Sequence, residues 1–235
     1  MDISSAKVLV TGGSSGIGYE TARQLRERGA AVVICGTNEG ALNRAATALS
    51  VLARRADVSV PADIDALFGF TIERLGGLNV LINNAGIGYF APLVETGLDA
   101  FQRVWEVNVK GAFLAGQRAA DHFIRQNYGN IINVASTAGQ RGFPNGTAYV
   151  ASKFALSGMT ECWRAELRKH NVRVMQINPS EVVTDFFQRA GEPARERGGE
   201  NKLRPSEIAH VILDMLAMRD VGFVTDATVW ATNPW

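Results

Sequence analysis

The sequence predicts an α/β fold, a three-layer doubly wound structure in which helices cover both faces of a parallel sheet. Two observations predict it: short, nearly unbroken apolar runs, and longer segments of helical periodicity that separate them. Right-handed crossovers between parallel strands then give double winding. The expected strands are Lys7–Thr11, Ala31–Gly36, Val51–Asp57, Leu78–Asn83, Asn130–Ser136, Val172–Asn178 and Phe223–Val229. The expected helices cover residues 16–28, 38–49, 61–75, 99–126, 147–169 and 205–218.

The composition excludes several classes of protein. The 235 residues are 46% apolar and 20% charged with a net charge of +1, and no linker interrupts them, so we predict one domain over residues 1–235. There is no Lys/Arg stripe, no apolar run of the roughly 18 residues that span a bilayer, and no signal peptide pattern. We therefore expect a cytoplasmic protein that binds neither nucleic acid nor membrane.

The cysteines and histidines do not indicate a metal site. Cys35 and Cys162 lie in apolar surroundings, so we expect both to be buried free thiols. The three histidines are scattered without the spacing of metal ligands. No metal is therefore expected.

A glycine-rich turn, Thr11–Gly18, follows the first strand and opens the first helix. Glycines permit a tight turn and let backbone N–H groups approach a pyrophosphate at the helix N-terminus. The spacing Gly-x-x-x-Gly-x-Gly differs from the commonest dinucleotide pattern, and such a turn can also be a simple strand-to-helix connection. Its position in the first βα unit favours a dinucleotide site.

Two further segments end strands at the carboxyl edge, where open sheets bind ligands. Asp57-Val58 ends the third strand, and Asp57 either places its carboxylate on an adenine amine or acts as a turn residue. Asn83–Gly86 ends the fourth strand and by itself indicates only a turn.

Tyr149 and Lys153 lie four residues apart within the expected helix 147–169, so they share a face. An ammonium near a phenol favours the phenolate, which predicts that the pKa of Tyr149 falls from about 10 toward neutrality. Such a tyrosine is a usable general acid or base. Ser136 precedes Tyr149 by thirteen residues, at the end of an apolar run.

Together these residues resemble the short-chain dehydrogenase/reductase family in its compact form, and the length and motif layout are similar to those of 3-oxoacyl-carrier-protein reductases. The resemblance implies a Rossmann fold with a seven-stranded parallel sheet. It also implies an oxidoreductase that transfers hydride between NAD(P)(H) and a carbonyl or secondary alcohol. The matching positions are Thr11–Gly18, Asp57, Asn83–Gly86, Asn108, Ser136, Tyr149 and Lys153.

The resemblance implies a catalytic tetrad of Asn108, Ser136, Tyr149 and Lys153. Ser136 would orient the substrate oxygen, and Tyr149 would exchange a proton with it. Lys153 would lower the pKa of Tyr149 and bind the nicotinamide ribose. Asn108 would hold a water that links Lys153 to solvent, or it is an ordinary helix residue that satisfies its own backbone.

The resemblance also implies a set of cofactor contacts. Ser180 stands where the family usually has glycine, which places a side chain near the nicotinamide. Val182 would contact the carboxamide of the nicotinamide through its backbone. The expected contacts are Gly12, Ser14, Ser15, Gly16, Ile17, Gly18, Thr37, Asn38, Asp57, Val58, Asn84, Ala85, Gly86, Tyr149, Lys153, Pro179, Val182 and Thr184.

The second strand ends without the acidic residue that NAD-preferring relatives use on the ribose 2′-hydroxyl, because Gly36 stands there. The neighbouring candidates, Thr37 and Ser14–Ser15, are neutral donors and carry no basic group. We therefore expect NADP(H) to be favoured over NAD(H).

Residues 185–204 are charged and contain glycine, which is typical of a substrate lid or of a solvated loop. Nearby segments carry aromatic residues that either line a site for an apolar carbonyl or alcohol, or pack against the lid. These are Tyr89, Phe90, Phe143, Phe186 and Phe187. Arg141, in the same region, is expected at the solvated surface.

The resemblance implies a homotetramer or homodimer, with helices 99–126 and 147–169 forming one interface. The C-terminal segment with Trp230 and Trp235 could form a second. An alternative function is a catalytically silent NAD(P)-sensing regulatory protein, although every tetrad position is retained. An epimerase or dehydratase of the extended branch is disfavoured, because that branch usually has a larger C-terminal region and a different glycine turn.

Overall fold

The computed structural model describes residues 1–190 and 201–233, and its centre is a seven-stranded parallel sheet. The strand order is β3-β2-β1-β4-β5-β6-β7, so the direction of winding reverses between β1 and β4. This confirms the predicted doubly wound α/β fold of the Rossmann type. The strands are β1 (Lys7–Val10), β2 (Ala31–Gly36), β3 (Leu52–Arg55), β4 (Val80–Asn83), β5 (Gly129–Val134), β6 (Val172–Pro179) and β7 (Asp226–Val229).

Helices cover both faces of the sheet. They are α1 (Gly16–Glu27), α2 (Glu39–Leu49), α3 (Pro61–Leu75), α4 (Leu98–Trp105), α5 (Ala112–Gln126), α6 (Thr147–Leu167), α7 (Phe186–Arg189) and α8 (Pro205–Ala217). One apolar core lies between the sheet and α1, α2 and α8, and the other lies between the sheet and α3, α5 and α6. Because both faces are buried, the strands are apolar at almost every position.

The helix predicted over residues 99–126 is not a single α-helix. α4 ends at Trp105, a π-helical stretch runs over Glu106–Gly111, and α5 begins at Ala112. A π-helical turn is wider by one residue, and over so short a stretch it leaves the hydrophobic pattern nearly unchanged. The periodicity therefore indicated helix throughout and missed the change at Asn108.

Several strands are shorter than predicted. β3 ends at Arg55 rather than Asp57, and β7 begins at Asp226 rather than Phe223. Ser136 lies beyond β5, at the start of a 3₁₀ turn over Thr137–Gly139. Past these ends the backbone keeps a single bond to the neighbouring strand, from Ala56 N–H to the Gly36 carbonyl oxygen at 3.2 Å and from Ala135 N–H to the Ile177 carbonyl oxygen at 2.9 Å.

Cys35 is buried as predicted, and burial raises the pKa of its thiol to about 12. The prediction for Cys162 is wrong, because this free thiol is exposed on α6. Within the described ranges, no helix is long and apolar enough to cross a membrane. The same ranges hold no group of His, Cys, Asp and Glu side chains suited to a metal ion.

Candidate active site

The glycine turn after β1 leaves its backbone uncovered. Gly12 has φ +66°, a conformation that favours glycine, and a Cβ there would lie 2.9 Å from the Ala85 Cα. A Cβ at Gly18 would collide with the Gly12 carbonyl oxygen. The turn thus forms a tight cradle at the N-terminus of α1, where backbone N–H groups can meet phosphate oxygens.

The loop after β4 is fastened to this turn. Thr11 Oγ1 accepts hydrogen bonds from the backbone N–H groups of Asn84 and Ala85, both at 3.0 Å. Asn84 Nδ2 donates to the carbonyl oxygens of Thr11 at 2.9 Å and Gly12 at 3.1 Å. The two loops therefore meet where the strand order reverses, which is the ligand-binding position of open α/β sheets.

The ends of β2 and β3 form the other side of the crevice. Asn38 Oδ1 accepts from the Ala41 N–H at 2.9 Å and so caps α2, while Thr37 is exposed. Val58 is buried, and a Cβ at Gly111 would collide with its side chain at 2.6 Å.

Asp57 makes the contacts of a turn residue, one of the two roles that the sequence left open. Its carboxylate accepts from Ser59 N–H at 2.9 Å and from Arg103 Nη2 at 3.1 Å. Desolvation alone would raise the pKa of Asp57, but the bonds from Ser59 and Arg103 outweigh it and hold the pKa below the usual range.

Tyr149, Lys153 and Ser136 converge at the carboxyl end of β5. Lys153 is only 5% exposed, and its Nζ donates to the Val134 carbonyl oxygen at 2.9 Å. The same Nζ lies 5.7 Å from the centre of the Tyr149 ring. Ser136 Oγ accepts from the Ala138 N–H at 3.1 Å, donates to the Pro179 carbonyl oxygen at 3.4 Å, and is close enough to the Tyr149 phenol to influence its pKa. The structure thus brings three of the four proposed catalytic residues together.

The predicted direction of the Tyr149 pKa shift is wrong for this structure. Burial raises the pKa of Tyr149 to about 12, and the interaction with Ser136 offsets only part of that rise. Burial also lowers the pKa of Lys153 to about 8. Helical spacing correctly predicted a shared face, but it could not show that the ammonium bonds Val134 instead of the phenol.

Asn108 lies in the π-helical stretch and is 1% exposed. Its Nδ2 donates to the Ile87 carbonyl oxygen at 2.9 Å and to Ser152 Oγ at 3.0 Å, while its Oδ1 accepts from the Ile87 N–H at 2.8 Å. The side chain therefore satisfies the backbone of another loop, not its own. It ties the loop after β4 to α6 beside Lys153.

The segment after β6 runs beside the glycine turn. Ser180 Oγ accepts from the Ala231 N–H at 3.2 Å, so the hydroxyl that replaces the usual glycine binds the C-terminal segment. Val182 forms an isolated parallel bridge with Leu203. A Cβ at Gly16 would lie 3.3 Å from the Thr184 methyl group, which places Thr184 against the turn.

Four phenylalanines surround the Tyr149 ring, and we call them the phenylalanine cluster: Phe90, Phe143, Phe186 and Phe187. The ring centre of Tyr149 lies 5.5 Å from that of Phe90 and 5.4 Å from that of Phe186. Phe143 and Phe187 pack against Phe90. Tyr89 makes no ring contact with a described residue. Arg141 is exposed as expected, and its guanidinium lies 4.4 Å from the centre of the Trp230 ring.

The short helix α7 contacts both the phenol and the glycine turn. Its first residue, Phe186, packs on Tyr149, and Arg189 at its other end donates to Ser15 Oγ at 3.1 Å. Asp185 lies 3.8 Å from Arg189. Residues 191–200 of the predicted lid lie outside the described residues. The sequence carried no signal for Arg189, because an exposed arginine in a charged segment is ordinary.

The chain matches the family model for short chain dehydrogenases over residues 6–195. It is 34% identical to a 4-formylbenzenesulfonate dehydrogenase of Comamonas testosteroni, over 96% of this chain and 95% of that protein.

Two solved structures are similar over almost their whole length. One is a 3-ketoacyl-(acyl-carrier-protein) reductase from Brucella melitensis complexed with NADH, with a TM-score of 0.89, 27% identity and coverage of 97% of this chain and 98% of that chain. The other is an alcohol dehydrogenase from Thermococcus sibiricus complexed with 5-hydroxy-NADP, with a TM-score of 0.87, 26% identity and 96% coverage of both chains. The chain therefore belongs to the short-chain dehydrogenase/reductase family and is an oxidoreductase of that family.

Proposed function

We propose that the protein transfers hydride between NADP(H) and an apolar carbonyl compound or secondary alcohol, with Tyr149 as the general acid/base. The observation that carries this proposal is the convergence of Tyr149, Ser136 and Lys153 beside the loop that is fastened to the glycine turn. A proton donor thus lies next to a cradle suited to a dinucleotide.

The residues present fit such a cofactor. The turn has no room for a side chain at Gly12 or Gly18, and the N–H groups at the start of α1 are available to a pyrophosphate. Gly86 lets the loop after β4 lie close to Asn108 and Lys153, since a Cβ there would lie 3.3 Å from Asn108 Oδ1 and 3.8 Å from Lys153 Nζ. When bound, the nicotinamide supplies or accepts the hydride. NADP is favoured because Gly36 presents no carboxylate to a 2′-phosphate.

The side chains of the protein then carry out the proton transfer. With a pKa of about 12, the Tyr149 phenol is protonated at neutral pH and ready to donate to a carbonyl oxygen as that oxygen gains negative charge. Ser136 orients the same oxygen. Lys153 holds a positive charge behind the phenol and stabilises the phenolate that remains after donation. In alcohol oxidation the same steps run in reverse.

Asn108 supports this arrangement as a positioning residue. Both polar atoms of its side chain are engaged with Ile87 and Ser152, so the side chain fixes the loop that borders Lys153. A water link from Lys153 to solvent would then have to use the backbone of the π-helical stretch, whose altered hydrogen bonding is frequent at functional sites.

The phenylalanine cluster supports an apolar substrate. Aromatic rings on the open side of Tyr149 favour contact with apolar or aromatic groups and offer no partner to a charged one. A protein-bound acyl substrate is less favoured. An acidic carrier would need free basic residues at the surface, and one exposed arginine, Arg125, already pairs with Asp121 at 2.6 Å.

We also propose a homotetramer or homodimer that uses the outer faces of α4, α5 and α6. Large apolar side chains are exposed there: Trp105 is 41%, Phe113 42% and Phe154 46% exposed. Exposed aromatic residues on neighbouring helices are typical of an interface. Light scattering of purified protein tests this, and a monomer at micromolar concentration would rule it out.

The catalytic proposal is tested by oxidation of NADPH and NADH against aryl, cyclic and linear ketones and 3-oxoacyl thioesters. We expect turnover of apolar ketones and a kcat/KM higher with NADPH. A tenfold preference for NADH would reverse the cofactor assignment. Tight NADPH binding without turnover of any carbonyl would favour the NAD(P)-sensing alternative.

A further inference from the structure

Two consecutive arginines end β3, next to the end of β2. In the parallel register of the two strands, Cys35 pairs with Arg54 and Gly36 pairs with Arg55. Neighbouring strands lie about 4.8 Å apart, so the backbone of Arg55 runs directly beside that of Gly36. The sequence separates these two residues widely, and only the sheet register brings them together.

The two arginines lie on opposite faces of the sheet. The Arg54 guanidinium lies 5.4 Å from the centre of the Phe70 ring on α3. Successive side chains of a strand alternate between faces, so Arg55 projects toward the side of α1 and α2. Gly36 faces the same side, because a Cβ there would lie 3.3 Å from Ser14 Oγ in the glycine turn. Arg55 therefore lies at the carboxyl edge of the sheet, on the same face as the glycine turn but on the other side of β2.

Arg55 is exposed, and its guanidinium makes no hydrogen bond or ion pair with any residue in 1–190 or 201–233. By contrast, Arg103, which also lies at this edge, is held by Asp57 at 3.1 Å. The positive charge of Arg55 is thus uncompensated within the described chain, and it lies beside Gly36, which brings no carboxylate to the end of β2.

We propose that Arg55 binds the 2′-phosphate of NADP(H) and is the residue that sets the preference for this cofactor over NAD(H). The inference rests on the proposed function, in which a dinucleotide occupies the crevice along β1, β2 and β4. Arg55 supplies the basic group that the glycine turn and Thr37 lack. A guanidinium fits a phosphate because its planar N–H donors match two oxygens at once.

The test is calorimetric measurement of dissociation constants for NADP⁺, NAD⁺, 2′,5′-ADP and ADP, with no substrate present. Wild type is compared with Arg55→Gln and with Arg54→Gln, a matched control on the opposite face. We expect Arg55→Gln to raise the dissociation constants of NADP⁺ and 2′,5′-ADP at least tenfold. The dissociation constants of NAD⁺ and ADP should stay within twofold of wild type. Arg54→Gln should leave the ratio of NADP⁺ to NAD⁺ affinity within twofold of wild type.

Salt gives a second measurement that does not depend on turnover. The NADP⁺ affinity of wild type should fall more steeply with NaCl than that of Arg55→Gln, because one ion pair with the phosphate is lost. If wild type prefers NADP⁺ and Arg55→Gln retains that preference, the assignment of Arg55 is wrong while the proposed reaction stands. If wild type binds NAD⁺ more tightly than NADP⁺, the NADP preference and the assignment of Arg55 both fail.

Discussion

The Nζ of Lys153 donates a 2.9 Å hydrogen bond to the carbonyl oxygen of Val134, the last residue of β5. This bond fastens α6 to the sheet and holds an ammonium in a buried position. The Val134 carbonyl oxygen is a neutral partner for the ammonium group, and burial lowers the pKa of Lys153 to about 8. The positive charge that the proposed mechanism uses is therefore maintained at a cost to stability, which can be measured.

The first prediction concerns stability and pH. The folded pKa of Lys153 is about 8, below the 10.5 of an ordinary lysine, so between these values the unfolded chain binds more protons. Lys153 should therefore contribute a rise in stability with pH across this window, by about 2 kcal/mol between pH 7.5 and 9.5. Buried Cys35, with its pKa raised to about 12, opposes part of that rise, so the Lys153 effect is the difference between wild type and a variant without the lysine. Urea unfolding at the two pH values measures this change.

Lys153→Met removes the titrating group, so its free energy of unfolding should lack the rise that Lys153 causes over the same interval. Lys110→Met is the control, since Lys110 is partly exposed and pairs with Glu106 at 2.6 Å. A rise of equal size in wild type and Lys153→Met would show that the lysine is not responsible.

The second prediction concerns the phenylalanine cluster. Phe186→Ala removes a ring whose centre lies 5.4 Å from that of Tyr149. Loss of one aromatic contact should lower kcat/KM for an aryl ketone about threefold to tenfold, mainly through KM. Steady-state kinetics of Phe186→Ala beside Val221→Ala, an exposed apolar residue outside the cluster and the proposed interface, check this. Unchanged KM in Phe186→Ala would remove the cluster from the substrate site.

The third prediction concerns the contact between α7 and the glycine turn. Arg189 donates to Ser15 Oγ at 3.1 Å, so its cation lies beside the cradle for the pyrophosphate. Arg189→Ala should weaken ADP-ribose binding about threefold to tenfold, since one surface charge near a phosphate is worth on the order of 1 kcal/mol. Titration calorimetry measures this. Arg125→Ala is the matched control, because Arg125 also pairs with an aspartate four residues earlier. Equal affinity in wild type and Arg189→Ala would limit Arg189 to a surface role.

The fourth prediction separates a site glycine from an ordinary one. A methyl group at Gly18 would collide with the Gly12 carbonyl oxygen, so Gly18→Ala should distort the turn and abolish measurable NADP⁺ binding. Gly69, within α3, has nothing within 4 Å of an added Cβ. Gly69→Ala should leave binding unchanged and stabilise the fold by about 0.5–1 kcal/mol. Thermal unfolding and calorimetry distinguish the two, and normal binding by Gly18→Ala would contradict the proposed cradle.

The sequence predicted the fold well because buried parallel strands and amphipathic helices leave clear periodic patterns. It also placed Tyr149, Lys153 and Ser136 correctly near one another, since helical spacing and strand ends determine those positions. It did not predict the π-helical stretch at Asn108, where a local change in hydrogen bonding hardly alters the apolar pattern.

Features that depend on long-range contacts were not predictable. The direction of the Tyr149 pKa shift depends on burial and on the choice of Val134 as the partner of Lys153. The neighbourhood of Gly36 and Arg55 depends on strand register, which local sequence does not reveal. Spacing along the chain identifies residues of one helix face, but not the partner that each polar group takes.

The most direct measurement of the central claim is kcat/KM for NADPH-dependent ketone reduction by Tyr149→Phe, with NADP⁺ affinity measured on the same protein. The variant removes only the phenol hydroxyl that donates the proton. The proposed mechanism predicts at least a hundredfold loss of kcat/KM, with the NADP⁺ dissociation constant within about threefold of wild type. Activity within tenfold of wild type would contradict the assignment of Tyr149 as the general acid/base.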